Sequence, residues 1–583
     1  MIGCTKMRAV HGMIQATDRD PISATEGRKN ALLDRRILYE SALLFVAAGL
    51  ILFLFSSRVV SVFDEGILLT GTMRTMAGQV PHRDFNYNYG PAQLYFFSAL
   101  FKLFGPSVLA ERLAAIASNC CLVVSLYLLS RKLCGRLIAV AAAIVCMLWL
   151  IGLGITLSWA NAALCMLTLW TSWLILPVSD SRVQRRRALV AGFFAAMMFV
   201  LRYDLGVGTV AANLVAMPIM TWLQKPGESR STRWLLRRMI GPYLAAFVIT
   251  VTPAAIAYLS VAPLHDLLYD VVIYMAKYFR LGRALPFPRI RPGVPLGELA
   301  LYLLPIIILL GLWLNARYAI SRREKLVRPS EEQTPEWMGL LASLSIAAAM
   351  ICLKGLVRVG LGAMYGSVIG CVLLGAVLFQ HRAALNIWLR GLLLATLSLF
   401  GFAAACSATA QVSDHGHLRP LVINWLLTPG RQPPRGAFRS WCHDDTPITK
   451  GLCFLLDDDH IQAIRYLDAH TRPGDYLYVG LDHHDRIFAN DMITYFATQR
   501  LPAVKWTEMD PFLENRADIQ QEMIGTIELH KPPYVVLDSE FDHIQEPNGS
   551  SVHTGVHLLD DYIAAHYKTV EQYGELTILQ RHP

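Results

Sequence analysis

The sequence predicts a polytopic α-helical membrane protein of about 11 spans with a C-terminal exported α/β domain. Three observations carry that expectation. The 583 residues are 54% hydrophobic and only 17% charged, with a mean hydropathy of +0.39. A soluble globular chain has roughly 45–50% apolar and about 25% charged residues. Apolar runs long enough to cross a bilayer, about 17–25 residues, recur through residues 1–406. Residues 407–583 carry only short apolar runs between helical patterns. This composition excludes a disordered chain, a fibrous repeat and a small disulfide scaffold.

In chain order, residues 1–37 are polar and read as a cytoplasmic basic tail. They are too long and too acidic for a signal n-region, and no A-x-A-like site follows the first apolar run, so that run reads as a retained anchor. Spans are expected at 38–59, 112–131, 136–156, 158–178, 187–203, 205–223, 238–260, 297–317, 337–354, 359–380 and 386–406. The long 187–223 block is broken by Arg202-Tyr203-Asp204, which predicts two short helices and a polar turn. Lys and Arg concentrate in cytoplasmic loops. The clusters Arg35-Arg36, Arg131-Lys132 with Arg136, Arg182 to Arg187, Lys225 to Arg238, Arg317 to Arg328, and Arg382 with Arg390 fall on one side only if 92–104 does not cross. That stretch is therefore expected as a helix on the outer face. The multi-span domain, 38–406, then has two large outer loops, 60–111 and 261–296, with the N-terminus inside and the C-terminus outside.

The tail, 407–583, reads as a soluble extracytoplasmic α/β domain. Tyr476-Leu477-Tyr478-Val479 and Tyr534-Val535-Val536-Leu537 have the character of short buried strands, and 460–470 and 556–567 have helical patterns. Most of the 11 cysteines lie in or beside spans, where they act as small hydrophobes. Cys442 and Cys453 are the one pair in the tail, and an oxidising compartment would allow a disulfide. Asp457-Asp458-Asp459-His460 is most simply a helix N-cap with first-turn acids. Asp482-His483-His484-Asp485 could bind a divalent metal, but a solvated loop after a strand is the simpler reading.

The chemistry points to loop 60–111. It contains Phe63-Asp64-Glu65-Gly66, then Gly78 to Phe85, Tyr87-Asn88-Tyr89-Gly90-Pro91, Leu103-Phe104-Gly105-Pro106 and Glu111-Arg112-Leu113. Adjacent carboxylates just outside a span are costly near lipid and usually face a polar cavity. One could serve as a general base with a raised pKa. They could equally cap a short surface helix.

In this order the motifs resemble the start of C-type membrane glycosyltransferases, nearest to the protein mannosyltransferase, aminoarabinose transferase and Rhizobium lipopolysaccharide glycosyltransferase group. The match covers about 60 residues, from Phe63 to Leu113. The many-span body and C-terminal domain match that architecture over nearly the whole chain. The resemblance implies a C-type fold and a sugar donor linked to polyprenyl phosphate. It also implies inverting transfer to an acceptor hydroxyl at the outer face. Asp64 matches the catalytic base, Glu65 is its neighbour in position to hold the acceptor or tune Asp64, and Asp84 matches a second acidic position that in some relatives assists acceptor or metal binding. Aminoarabinose transferases carry a Lys before the Pro matching Pro91. Here Gly90 stands there, so that phosphate contact is lost.

Candidate cations for the donor phosphate come from this chain's own pattern. Loop 261–296 carries Lys277, Arg280, Arg283, Arg289 and Arg291 among aromatic residues, against the positive-inside trend. A basic helix resting on lipid head groups is the alternative. Arg202 with Asp204, and Lys354 with Arg358, are further candidates at outer span ends. No cofactor is assigned, and a divalent metal is the one candidate. The expected partners are a polyprenyl-phosphate sugar donor, a glycan, lipid or protein acceptor, and membrane lipids. The resemblance is closest to bacterial members, which implies the bacterial plasma membrane.

A flippase for a lipid-linked saccharide and an inactive scaffold for envelope assembly are the competing functions. Transporters of that kind usually show internal repeats and broken helices at the midplane, and none is seen. No Walker-type Gly-x-x-x-x-Gly-Lys loop is present either. The net charge of +9 is a sum of opposites. Residues 407–583 hold 14 Lys+Arg and 25 Asp+Glu, a net of −11, which leaves +20 for residues 1–406. Inner-loop topology explains much of the positive part, so no nucleic-acid partner is needed.

Overall fold

The computed structural model describes residues 21–154, 158–178, 180–224, 232–290, 294–325, 336–414 and 440–582. Its helices are α1 (Pro21–Phe55), α2 (Asp64–Met76), α3 (Ala92–Phe104), α4 (Val108–Leu133), α5 (Arg136–Gly152), α6 (Ser158–Leu174), α7 (Ser181–Leu201) and α8 (Tyr203–Gln224). There follow α9 (Thr232–Leu259) and α10 (Leu264–Leu268). The chain continues from α10 through a wider π-helical stretch, Tyr269–Phe279, into α11 (Arg280–Arg283). Then come α12 (Leu299–Lys325), α13 (Glu336–Gly355), α14 (Tyr365–Gln380) and α15 (Ile387–Asp414). The tail adds α16 (Asp458–His470), α17 (Ile493–Thr498), α18 (Ala517–His530) and α19 (Leu558–His566).

Eleven of these, α1, α4 to α9 and α12 to α15, fall on the expected spans. Among the described residues, seven helices are long and apolar enough to cross a membrane by length and composition, and α3, α5 and α14 are shorter apolar helices. The protein is a multi-pass membrane protein.

Three boundaries differ from the sequence reading. The first span ends at Phe55 rather than residue 59. After Ser56-Ser57, Val60 N donates to Leu455 O at 3.0 Å and Leu455 N to Arg58 O at 2.8 Å. Residues 359–364 are not helical. Val359 N instead donates to Leu285 O at 3.3 Å, which ties two loops together. The 187–223 block does break at Arg202, but its two helices are full length, 21 and 22 residues.

Helix α3 rises only about 20 Å at 1.5 Å per residue, short of a hydrocarbon core of about 30 Å. Leu94, Phe97 and Phe101 are buried, while Tyr95, Phe96, Leu103 and Phe104 are exposed. Its buried face meets α2 and Phe496 of the tail, with the Phe101 and Phe496 rings 6.0 Å apart. It therefore lies on the tail's side of the body.

The tail holds a five-stranded sheet, β1 (Tyr476–Leu481), β2 (Leu501–Pro502), β3 (Tyr534–Asp538), β4 (Tyr567–Tyr573) and β5 (Leu576–Arg581), in the order β2-β1-β3-β5-β4. The first three strands are parallel and the last two antiparallel. Both apolar runs singled out in the sequence are its central strands. Cys442 and Cys453 form a disulfide.

One apolar core fills the membrane body. A second is shared between loop 60–111 and the tail, joining Ile67, Leu68, Phe97 and Phe101 to Trp441, Met492, Ile493 and Phe496. Thr70 Oγ1 donates to Met492 O at 2.7 Å, and Met492 N and Ile493 N each donate to Val62 O at 3.0 Å. Helix α2 is thus wedged between body and tail.

Gly66 permits that wedge, because a Cβ there would lie 2.8 Å from Ile493 N. The neighbour is backbone and has no cheap way to yield. Gly66→Ala should cost about 1–3 kcal/mol, read as a lower melting temperature of the detergent-purified chain.

Candidate functional site

Helix α2 begins where Ser61 Oγ accepts from Asp64 N at 3.2 Å. Asp64 and Glu65 then sit side by side in its first turn, where carboxylates are favoured by the helix dipole. Their side chains part completely. Glu65 is fully buried, accepting from Arg112 Nε at 2.5 Å and Nη2 at 2.8 Å. Arg112, buried at the start of α4, also donates to Ser57 O at 2.6 Å and Val59 O at 3.1 Å. Its guanidinium thus ties the end of the first span, the start of α2 and the start of α4. A buried pair of this kind holds only when both partners are present.

Asp64 points the other way, into a cavity of about 80 Å³ lined with Tyr87, Tyr89, Gln93, Asn161 and Arg202. Among the described residues, no side-chain hydrogen bond or ion pair engages its carboxylate. The residue is solvent-accessible, yet the protein packed around its carboxyl partly desolvates it and pushes its pKa up. The positive charges of Arg283 and Arg358 oppose that rise, and Glu65 adds to it. An unengaged carboxyl with a raised pKa, open to a cavity, suits a general base.

The opposite wall carries Arg202. Arg202 donates to Asp204 Oδ1 at 3.1 Å and to Asn161 Oδ1 at 2.9 Å, and its guanidinium lies 5.0 Å from the Tyr89 ring centre. Lys354 Nζ stands 2.8 Å from Asp204 Oδ2. Two cations therefore share one carboxylate, leaving a positive surplus where the α7–α8 junction meets the end of α13.

The remaining sequence candidates lie elsewhere. Asp84 does not line this cavity. Its carboxylate accepts from Arg83 at 2.7 and 2.8 Å and from Val80 N at 2.7 Å, and the Arg83 bonds hold its pKa below the usual range. Arg283 is buried and paired with Asp510 at 2.9 Å. Arg358 is paired with Glu546 at 2.6 Å. Lys277, Arg280 and Arg289 are exposed, outside the cavity lining. Arg291 lies outside the described residues.

The solvated-loop reading of Asp482-His483-His484-Asp485 is corrected for its second half. His484 is fully buried between Tyr478 Oη at 2.6 Å and Asp560 at 2.6 Å, and Asp485 is also buried. Gly90 has a steric reason to lack the Lys of the aminoarabinose transferases. A Cβ there would lie 2.6 Å from Val200 O, so α7 packs directly on its backbone.

The sequence reading missed Asn161, Tyr87, Tyr89 and Gln93, and it missed the acids that occupy Arg283. Asn88 Nδ2 donates to Glu508 at 3.2 Å and to Asp510 at 2.5 Å. Burial raises Glu508 and Glu514 far above ordinary carboxylates, and Asp510 adds repulsion. Three acids within Glu508 to Glu514, in a segment otherwise apolar, were the available signal.

Residues 88–255 match the family described as dolichyl-phosphate-mannose-protein mannosyltransferase. That match supports the C-type glycosyltransferase superfamily. No curated protein matches the chain. Among solved structures, the chain is similar to ArnT from Cupriavidus metallidurans bound to undecaprenyl phosphate. Identity is 13%, with 92% of this chain and 97% of that one covered, at a TM-score of 0.47. The apo form of the same protein gives 12% identity, the same coverage and 0.48. The arabinofuranosyltransferase AftD from Mycobacteria gives 15% identity over 93% of this chain and 41% of that one, at 0.44.

The two neighbouring acids should separate by stability. Arg112→Ala leaves Glu65 buried and unpaired and should cost about 3–5 kcal/mol. Asp64→Asn should cost nothing or stabilise. A carboxyl whose folded pKa is raised weakens folding as pH climbs past its unfolded value, and the neutral amide removes that penalty. Thermal melts of both variants at pH 7 check this.

Proposed function

We propose that the chain is an inverting glycosyltransferase that moves a sugar from a polyprenyl-phosphate donor to an acceptor hydroxyl at the outer face of a bacterial plasma membrane. The observation that carries this reading is the free Asp64 carboxylate facing Arg202 across one cavity, with Lys354 behind it on the shared Asp204 carboxylate. The name of the matched family, which couples a lipid phosphate with mannose, supports a donor of this type.

Asp64 takes the proton of the acceptor hydroxyl as its oxygen attacks the anomeric carbon. The bond from that carbon to the phosphate oxygen breaks, and its electron pair leaves on the lipid phosphate. Arg202 and Lys354 stabilise the released anion, the role that preorganised cations serve at developing charge. Tyr87 and Tyr89 supply flat faces and hydroxyls against which a sugar ring packs. Glu65 acts through Arg112 as a positioning residue. The placement of loops 60–111 and 261–296 with the tail on one side agrees with an extracytoplasmic site.

The test is transfer from defined polyprenyl-phosphate sugars in membranes carrying the full chain. Asp64→Asn should lose about 10²–10⁴-fold in rate. The wild-type rate should fall as pH drops through a pKa above the ordinary Asp value of about 3.9, because only ionised Asp64 accepts a proton. The residual rate of Asp64→Asn should lack that limb. Arg202→Gln and Lys354→Gln should each weaken donor use by about tenfold or more. Full transfer by Asp64→Asn would remove the base assignment. Mass spectrometry of envelope glycolipids from a deletion strain then names the missing sugar and its acceptor, whether lipid A, lipopolysaccharide core, another envelope glycan or protein Ser/Thr.

A further inference from the structure

A second polar centre lies within the tail, away from the cavity of Asp64. His460, Asp538 and Glu540 each bring one nitrogen or oxygen to within 4.8 Å of the others. Each also keeps a buried polar atom with no hydrogen-bond partner: His460 Nε2, Asp538 Oδ2 and Glu540 Oε2. His460 and Asp538 are almost wholly buried, at 3% and 0% exposure. Leaving three such atoms dry and unpaired is unfavourable, so their convergence calls for a shared partner.

The surroundings are built for a cation. Asp457, the N-cap of α16, lies 2.7 Å from His460 Nδ1. A carboxylate there accepts from Nδ1, which leaves Nε2 facing the cluster, where a metal displacing its proton would take the lone pair, as in carboxylate–histidine–metal triads. Asp491 Oδ2, held by Thr494, stands 3.6 Å from Nε2. Asp538 ends β3 beside parallel β1, where the crossovers to β2 and β3 diverge, a usual place for ligands in open α/β sheets.

We propose that His460, Asp538 and Glu540, with Asp491 completing the set, bind one divalent metal ion of the class that takes mixed imidazole and carboxylate ligands, such as Zn²⁺ or Mn²⁺. The ion is structural. Asp491 precedes Met492 and Ile493, whose backbone holds Val62 and Thr70 of the catalytic loop, so the metal braces the seat of α2. The other His and acid cluster, Asp482, His483 and Asp542, is more exposed and is left with no buried unpaired atom.

The experiment uses the full chain in detergent, stripped with chelator and titrated separately with Zn²⁺ and Mn²⁺. Bound metal is counted after gel filtration, and melting temperature is followed. One ion per chain should bind, with a rise of a few degrees in melting temperature. Asp538→Asn and Glu540→Gln should each weaken binding roughly tenfold or more, while Asp482→Asn binds as wild type. Should Asp538→Asn fail to fold, Glu540→Gln, at a partly exposed position, carries the comparison. Failure of both metals to bind, wild-type binding by Glu540→Gln, or loss confined to Asp482→Asn overturns the proposal. None of these readouts depends on sugar transfer.

Discussion

The site depends on one buried contact, the Glu65–Arg112 pair. Arg112 reaches from the start of α4 to the carboxylate of α2 and to two carbonyls just after the first span. These groups are enclosed, and each charge is tolerable only because the other is there. The pair fixes the rotation of α2 about its axis. With Glu65 turned inward, Asp64, one residue away and about 100° around the helix, must face the cavity. Two adjacent carboxylates thereby acquire opposite tasks, one structural and one free for chemistry.

The cavity needs both halves of the protein. Its cation, Arg202, and Asn161 come from the ends of membrane helices, its acid and aromatic side chains from loop 60–111. The tail supplies the backing. It shares a core with α2 and α3, and its acids take up Arg283 and Arg358. The opposed charges of body and tail, +20 and −11 by residue count, are therefore also an interface. Acids of the tail neutralise Arg283 and Arg358 and leave Arg202 at the cavity, with Lys354 beside it on Asp204.

Much of the fold was legible because the signals are one-dimensional. Span length, Lys and Arg asymmetry and short β-rich runs gave eleven helices in place and the two central strands. Boundaries shifted where long-range pairing intervened, as at Val60 with Leu455 and Val359 with Leu285. The site was legible in part. Asp64 was read from a motif, and Arg202 from its cost at a span end. The fates of Arg283, Arg358 and Asp84 were not readable, because charge partners hundreds of residues away, or a neighbouring Arg, decide them. His460 was read as part of a simple helix start. Asp457 does cap that helix, yet Asp538 and Glu540 reach His460 only through the sheet.

The central claim is that donor phosphate and catalytic carboxylate share the cavity between α2 and the α7–α8 junction. A cryo-EM structure of the full chain in nanodiscs with a polyprenyl phosphate tests it most directly. The account predicts the phosphate in contact with Arg202 and Lys354, with Asp64 facing the place its sugar would occupy. A phosphate seated instead against Lys277, Arg280 or Arg289, with the Asp64 cavity vacant, would contradict it.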